Sequence, residues 1–112
     1  MIVYHNPRCR KSREGLAYAQ SKDSSAEIRE YLKEEFTKEE LNDVINKLGV
    51  QPSDLLRKNE QIFKDEFKGK DIKEEEWVEI MLKHPRLIER PIIVNGNKAV
   101  VARPAEKIDE IL

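Results

Sequence analysis

The apolar residues of the chain form short runs at its two ends and helix-like stripes in its middle. The opening run Met1 to Tyr4 stops at Asn6-Pro7, which predicts a short strand followed by a loop. The next segment, to about Ser21, carries helix-forming residues and predicts a helix. The stretch AEIREYL, between a serine-rich break and an acidic one, favours a second strand parallel to the first. The first third therefore predicts strand, helix, strand.

The clearest helix signal begins at Thr37. Glu40 follows three residues later, so the two residues form a capping box at a helix start. An apolar stripe then runs from Leu41 to Leu48, and Gly49 is placed to end the helix.

Two further helices are expected before the chain returns to strand patterns. One begins at Ser53, and a longer amphipathic helix runs from about Lys73 to Lys83, stopped by His84-Pro85. Trp77 lies on the apolar stripe of the longer helix, so we expect it in the core.

The last part of the chain predicts a hairpin and a short helix. RPIIVNGNKAVVARP contains two β-rich runs around Asn95-Gly96, and AEKIDEIL closes the chain as a helix. The element order favours one α/β domain over residues 1–112, with a helical insertion at about residues 35–85. The outline fits a thioredoxin-like mixed sheet layered with helices, one of several topologies that the pattern allows.

Composition narrows the class of partner. The 112 residues are 38% hydrophobic and 38% charged, and the formal net charge is -1, so we expect no general attraction to nucleic acid or to a membrane surface. The apolar start is too short for a signal-peptide core, and no run approaches the roughly 20 apolar residues of a membrane span. We therefore expect a cytoplasmic protein.

The charge is nevertheless concentrated around the only cysteine. Cys9 lies between Arg8 and Arg10, with Lys11 and Arg13 close behind. So many cations cannot be buried together, which argues against Cys9 as a small buried hydrophobe. A single cysteine forms no internal disulfide, so Cys9 is expected to be an accessible free thiol.

Such a thiol is a candidate nucleophile if its anion is stabilised. An ordinary thiol is only about 3% thiolate at pH 7. At the N-terminus of the first helix, backbone N–H groups and nearby cations would favour the anion of Cys9, and the Oγ of Ser12 can donate a hydrogen bond to it. His5 would either tune the thiolate or cap the strand, and Asn6 would either orient the loop or form a turn.

Several other chemistries do not fit. Ser12 occupies the place of the second thiol in a Cys-x-x-Cys motif, and Gly15 occupies the place of the arginine in a Cys-x5-Arg phosphatase loop. His5, Cys9 and His84 have no standard zinc-ligand spacing, so no metal is expected. A redox turnover would therefore need a thiol from another molecule.

Four segments together resemble the glutaredoxin-coupled arsenate reductase family over essentially the whole chain: YHNPRCRKSR, LLRKNE, HPRLIERPIIV and ARPAEKIDEIL. The resemblance implies a thioredoxin-like fold with a helical insertion. It also implies that Cys9 is the nucleophile, that Arg57, Arg90 and Arg103 bind the oxyanion, and that Pro91 is a cis-proline facing the thiol.

The reaction implied by this resemblance is attack of the Cys9 thiolate on arsenate or a similar oxyanion. Glutathione, as a co-substrate rather than a bound cofactor, and then glutaredoxin would accept the oxidising equivalents. Arg10 and Lys11 replace the small residues that usually follow the cysteine, a change that would narrow the approach or suit another substrate. Two alternatives stay open: a glutathione-dependent thiol-disulfide reductase, and an Spx-type regulator that binds RNA polymerase, although such regulators commonly use Cys-x-x-Cys.

Overall fold

The computed structural model describes all 112 residues as two compact units. One unit comprises Met1–Glu35 and Arg90–Leu112, and the other comprises Phe36–Glu89. The first contains both strand-rich ends of the chain and the second contains the helical middle.

A four-stranded mixed sheet forms the first unit. Its strands are β1 (Ile2–Tyr4), β2 (Glu27–Arg29), β3 (Ile92–Asn95) and β4 (Lys98–Val101), in the order β2-β1-β3-β4. Strand β1 is parallel to β2 and antiparallel to β3, and β3 is antiparallel to β4. The predicted mixed sheet, including the parallel pairing of the second strand, is confirmed.

The hairpin between β3 and β4 is also confirmed, but its turn lies one residue later than the Asn95-Gly96 signature indicates. Asn95 pairs with Lys98, so Gly96 and Asn97 form the turn. Gly96 has a φ of 64°, a left-handed conformation that glycine adopts without steric cost.

Two helical elements belong to this unit. Helix α1 spans Arg10–Lys22, and a 3-10 helix spans Ala105–Ile111, where the sequence predicts a short helix without specifying its type. The Tyr18 hydroxyl on α1 donates to the Asp109 carboxylate at 2.8 Å. The buried core cluster of the unit draws on the sheet and on both helices: Val3, Ala19, Ile93, Ala102, Ile108 and Ile111.

The second unit contains helices α2 (Lys38–Leu48), α3 (Gln61–Glu66) and α4 (Glu74–Lys83). The predicted capping box is present, since the Thr37 hydroxyl accepts the Glu40 N–H at 3.1 Å and the Glu40 carboxylate accepts the Thr37 N–H at 2.9 Å. Gly49 ends α2 with a φ of 69°. Helix α4 stops at His84 as predicted. None of the helices is long and apolar enough to cross a membrane.

The helix expected to begin at Ser53 is a short 3-10 helix that begins one residue earlier, at Pro52. A single 3-10 turn spans Pro52–Leu55, and the side chain of Ser53 donates instead to the Glu74 carboxylate at 2.6 Å. Helix α3, which the sequence pattern does not predict, brings Phe63 against Trp77 with a ring-centroid separation of 6.0 Å. Trp77 is buried, as expected.

The capping box at α2 generates a stability prediction. In Thr37→Ala the Glu40 N–H loses its side-chain acceptor, so we expect the free energy of unfolding to fall by about 1 kcal/mol. Urea unfolding followed by circular dichroism measures this. Ser24→Ala, at an exposed turn, is the control and should change stability by less than about 0.5 kcal/mol. Equal losses in the two variants would contradict the capping role of Thr37.

Candidate active site

Cys9 lies at the N-cap of α1, immediately after the loop that leaves β1. Its backbone is extended, with φ -97° and ψ 123°, and the thiol is half-buried. The Cys9 carbonyl accepts the N–H of Arg13 at 3.0 Å, which begins the helix. Because the first N–H groups of a helix have no carbonyl partner within it, the sulfur lies where anions are bound most readily.

Asn6 and Arg13 hold the loop in shape. The Asn6 carbonyl accepts the Cys9 N–H at 3.0 Å, and its side-chain oxygen accepts the Arg8 N–H at 3.0 Å. The Arg13 guanidinium donates to the carbonyl of Pro7 at 2.9 Å. Asn6 thus forms a side-chain turn and orients the cysteine loop at the same time.

Ser12 supports the site through a different contact from the one predicted. Its hydroxyl lies 2.8 Å from the Nδ1 of His5 and accepts the Asn6 N–H at 2.9 Å, and all three residues are buried. The predicted hydroxyl bond to the thiol is therefore absent. The backbone N–H of Ser12 faces the thiol instead.

The surroundings of Cys9 favour its anion. Partial burial raises the pKa of the thiol, but the N–H of Ser12, the charge and N–H groups of Arg90 and the N–H of Lys11 lower it and outweigh the burial. The pKa of Cys9 therefore lies below its ordinary value. A helix N-terminus and a neighbouring cation both lower the pKa of a cysteine thiol.

Arg90 and Arg103 lie near each other in the same unit as Cys9. An Nη1 of Arg103 lies 3.5 Å from the carbonyl oxygen of Arg90. The Nε–H of Arg90 is buried and has no hydrogen-bond partner. The peptide between Arg90 and Pro91 is cis, as the resemblance implies, and the peptide between Arg103 and Pro104 is also cis. The structure thus brings Cys9 and Arg90 together and places the guanidinium of Arg103 against the backbone carbonyl of Arg90.

Arg57 belongs to the helical unit, and its approach to Cys9 stays a prediction. Its N–H donates to the Leu87 carbonyl at 2.7 Å. The guanidinium is 14% exposed and lies 3.3 Å from the Glu60 carboxylate and 3.9 Å from the Glu89 carboxylate. The sequence analysis missed these two acidic partners, although Glu60 follows Arg57 at a spacing of one helical turn.

The two cations that follow Cys9 are held on the surface of α1. The side chains of Arg10 and Lys11 are 83% and 54% exposed, and both pair with the Glu14 carboxylate, at 3.1 Å and 3.6 Å. Glu14 thus directs their charges along the exposed face of the helix. No group of His, Cys, Asp or Glu side chains is arranged to hold a metal ion.

Comparison with known proteins identifies the family of the chain. The ArsC family model matches residues 4–111. The arsenate reductase of Haemophilus influenzae is 37% identical over 114 residues, which cover 100% of this chain and 98% of that protein. The arsenate reductase of Escherichia coli is 34% identical and is matched over 80% of its length. The structure of the arsenate reductase from Vibrio cholerae superposes with a TM-score of 0.93 at 34% identity, covering 99% of this chain and 96% of that one.

The contact with Arg90 predicts how Cys9 reacts with alkylating agents. In Arg90→Ala the thiolate loses a stabilising cation, so alkylation by iodoacetamide at neutral pH should slow by about tenfold. The rate measured against pH reports the thiol directly, because Cys9 is the only cysteine. Arg86→Ala removes an exposed arginine and should leave the profile unchanged. Superimposable profiles for Arg90→Ala and wild type would exclude Arg90 as the cation.

Burial of His5 predicts a pH-dependent stability. Burial lowers the pKa of the imidazole, although Glu30 and the bond to Ser12 raise it, while Arg13 lowers it further. The unfolded chain therefore takes up the proton first as pH falls below about 6.5, so acid favours unfolding. We expect the free energy of unfolding to fall as the pH drops below about 6.5. His5→Asn should flatten this slope in urea unfolding, and an unchanged slope would exclude His5 as its source.

Proposed function

The chain belongs to the ArsC family, and from this premise we propose that it is an arsenate reductase that uses the Cys9 thiolate as nucleophile. The observation that carries the proposal is the placement of the Cys9 thiol at the N-cap of α1, with backbone N–H groups of the helix and Arg90 beside it. Thiolates rather than thiols are the nucleophilic form, so surroundings that lower the pKa of Cys9 raise the fraction of the reactive species.

The positive charge of the arginines would offset the repulsion between the thiolate and the oxyanion. Arsenate is a tetrahedral oxyanion, and its approach to a thiolate brings two negative groups together. The buried Nε–H of Arg90 has no partner within the protein and is suited to donate a hydrogen bond to an oxygen of the oxyanion. Arg103, next to it, would supply a second planar donor set.

Arg57 would complete the oxyanion site in this proposal. Its contacts with Glu60 and Glu89 fix the direction of its guanidinium and offset its charge before the substrate arrives. An arriving oxyanion would then compete with two carboxylates for this arginine. We expect this competition to weaken the contribution of Arg57 to binding of the oxyanion.

The proposed reaction joins sulfur to arsenic and then transfers two electrons. The Cys9 thiolate attacks arsenic, and one oxygen leaves as water. Glutathione then supplies the second thiol, so arsenic departs as arsenite and Cys9 is left in a mixed disulfide with glutathione. A thiol of glutaredoxin takes over the glutathionyl group and restores Cys9.

The external reductant is supported by the cysteine count. Cys9 is the only cysteine, so a disulfide at this sulfur must form with another molecule. Glutathione and glutaredoxin belong to the reducing cytoplasm, which is where we propose that the protein acts. Glutathione is thus a co-substrate, and no bound cofactor takes part in the proposed steps.

A coupled assay tests the proposal. Wild-type protein supplied with arsenate, glutathione, glutaredoxin and glutathione reductase should consume NADPH, and Cys9→Ser should abolish the consumption. Arg90→Lys keeps the charge but loses the planar fork, so kcat/KM for arsenate should fall at least tenfold, or about 1.4 kcal/mol. Arg57→Ala should raise KM for arsenate if its side chain joins the site.

Matched controls separate the outcomes of this assay. Arg86→Lys changes an exposed arginine and should retain wild-type kinetics. No arsenate-dependent NADPH consumption with all components present would reject arsenate as the substrate. Consumption driven by a glutathionylated substrate without arsenate would instead indicate the related thiol-disulfide reductase.

A further inference from the structure

Gly15 is buried in the second turn of α1, where glycine is among the least favourable residues for a helix. Packing explains its presence. A methyl group on Gly15 would overlap the Cγ of Pro91 and would lie 3.5 Å from the Cβ of Ala102. The absence of a side chain therefore lets α1 lie directly against the ring of Pro91.

Pro91 cannot readily yield to such a methyl group. It is among the fully buried side chains, and its closed pyrrolidine ring can move the Cγ only by changing its pucker. Its carbonyl oxygen also accepts the Ala102 N–H at 3.0 Å, which fixes the backbone at the start of β3. Any added volume at Gly15 must therefore move α1 or the segment that contains Pro91.

Both sides of this contact carry groups of the candidate active site. Helix α1 begins directly after Cys9, and its first N–H groups face the sulfur. Pro91 follows Arg90, the cation beside the same sulfur, whose carbonyl oxygen lies 3.5 Å from Arg103. A shift between α1 and Pro91 is thus a shift between the thiolate and its cation.

We infer that Gly15 is a positioning residue, which sets the separation between the Cys9 sulfur and the Arg90 guanidinium by allowing α1 to pack on Pro91. It touches neither the sulfur nor a substrate and acts through the Pro91 ring. Its effect on turnover rests on the proposed function, but its effect on the sulfur does not.

Alkylation of Cys9 in Gly15→Ala tests the inference. The rate of reaction with iodoacetamide is measured against pH in wild type and variant. The variant should react about five- to tenfold more slowly at neutral pH, and its profile should move to higher pH, because the sulfur loses part of its contact with Arg90. The maximum rate at high pH should stay close to that of wild type, since the thiolate itself is not blocked.

Gly96→Ala is the matched control. Gly96 has a φ of 64°, so alanine there is strained, but the added methyl group meets nothing within 4 Å. This variant should lower the melting temperature while leaving the alkylation profile unchanged. If Gly15→Ala and Gly96→Ala melt at lower temperature and both keep the wild-type profile, Gly15 serves stability alone and the inference is wrong.

A second variant keeps the test possible in the event that Gly15→Ala does not fold. Ala102→Gly removes the other side chain near the new methyl group, so Gly15→Ala/Ala102→Gly is the form to measure if Gly15→Ala does not fold. If neither folds, the contact supports the whole unit rather than the site, and the inference is overturned. A shifted profile in a protein that does not reduce arsenate would uphold the role of Gly15 while rejecting the proposed function.

Discussion

The chemistry of the molecule depends on one half-buried sulfur that is stabilised from two directions. Burial alone raises the pKa of Cys9, so the anion is favoured only because N–H groups of α1 and the guanidinium of Arg90 act on it together. The two sources are far apart in the sequence. They meet because β1 pairs antiparallel with β3, and Tyr4 at the end of β1 lies opposite Ile92 at the start of β3, which places the cysteine loop and the Arg90 segment at the same end of the two central strands. The pairing of β1 with β3 therefore helps to create the surroundings that favour the Cys9 anion.

How much of the fold the sequence predicts depends on how local each signal is. Helix α2 is predictable because Thr37, Glu40 and Gly49 satisfy its ends within the helix itself. Ser53 misleads because its hydroxyl has a choice of partners, and Glu74, distant in sequence, takes it. Helix α3 has only six residues, and its stability comes from Trp77 on another helix rather than from its own pattern. Tertiary contacts thus determine the local structure wherever the propensity of a segment allows more than one conformation.

The same distinction applies to the site. The position of Cys9 at the start of a helix is readable from its neighbours in the chain. The cation beside the thiol is not, because it is Arg90 rather than Arg10 or Lys11, and neither are the roles of the hydroxyl and amide groups. The Oγ of Ser12 serves His5 and Asn6 because both lie buried beside it, a fact that depends on the path of the loop. The acidic partners of Arg57 and the contact between Gly15 and Pro91 likewise follow from folding, not from any motif.

The role of Ser12 also bears on why the reductant must come from outside. Its position is that of the second thiol in a Cys-x-x-Cys motif, but here the hydroxyl satisfies two buried partners, the His5 imidazole and the Asn6 N–H. A cysteine thiol is a poorer acceptor and would leave these groups less well satisfied, at a cost to the loop that orients Cys9. The loop is thus built around an oxygen at this position. In the proposed reaction the second sulfur therefore comes from another molecule.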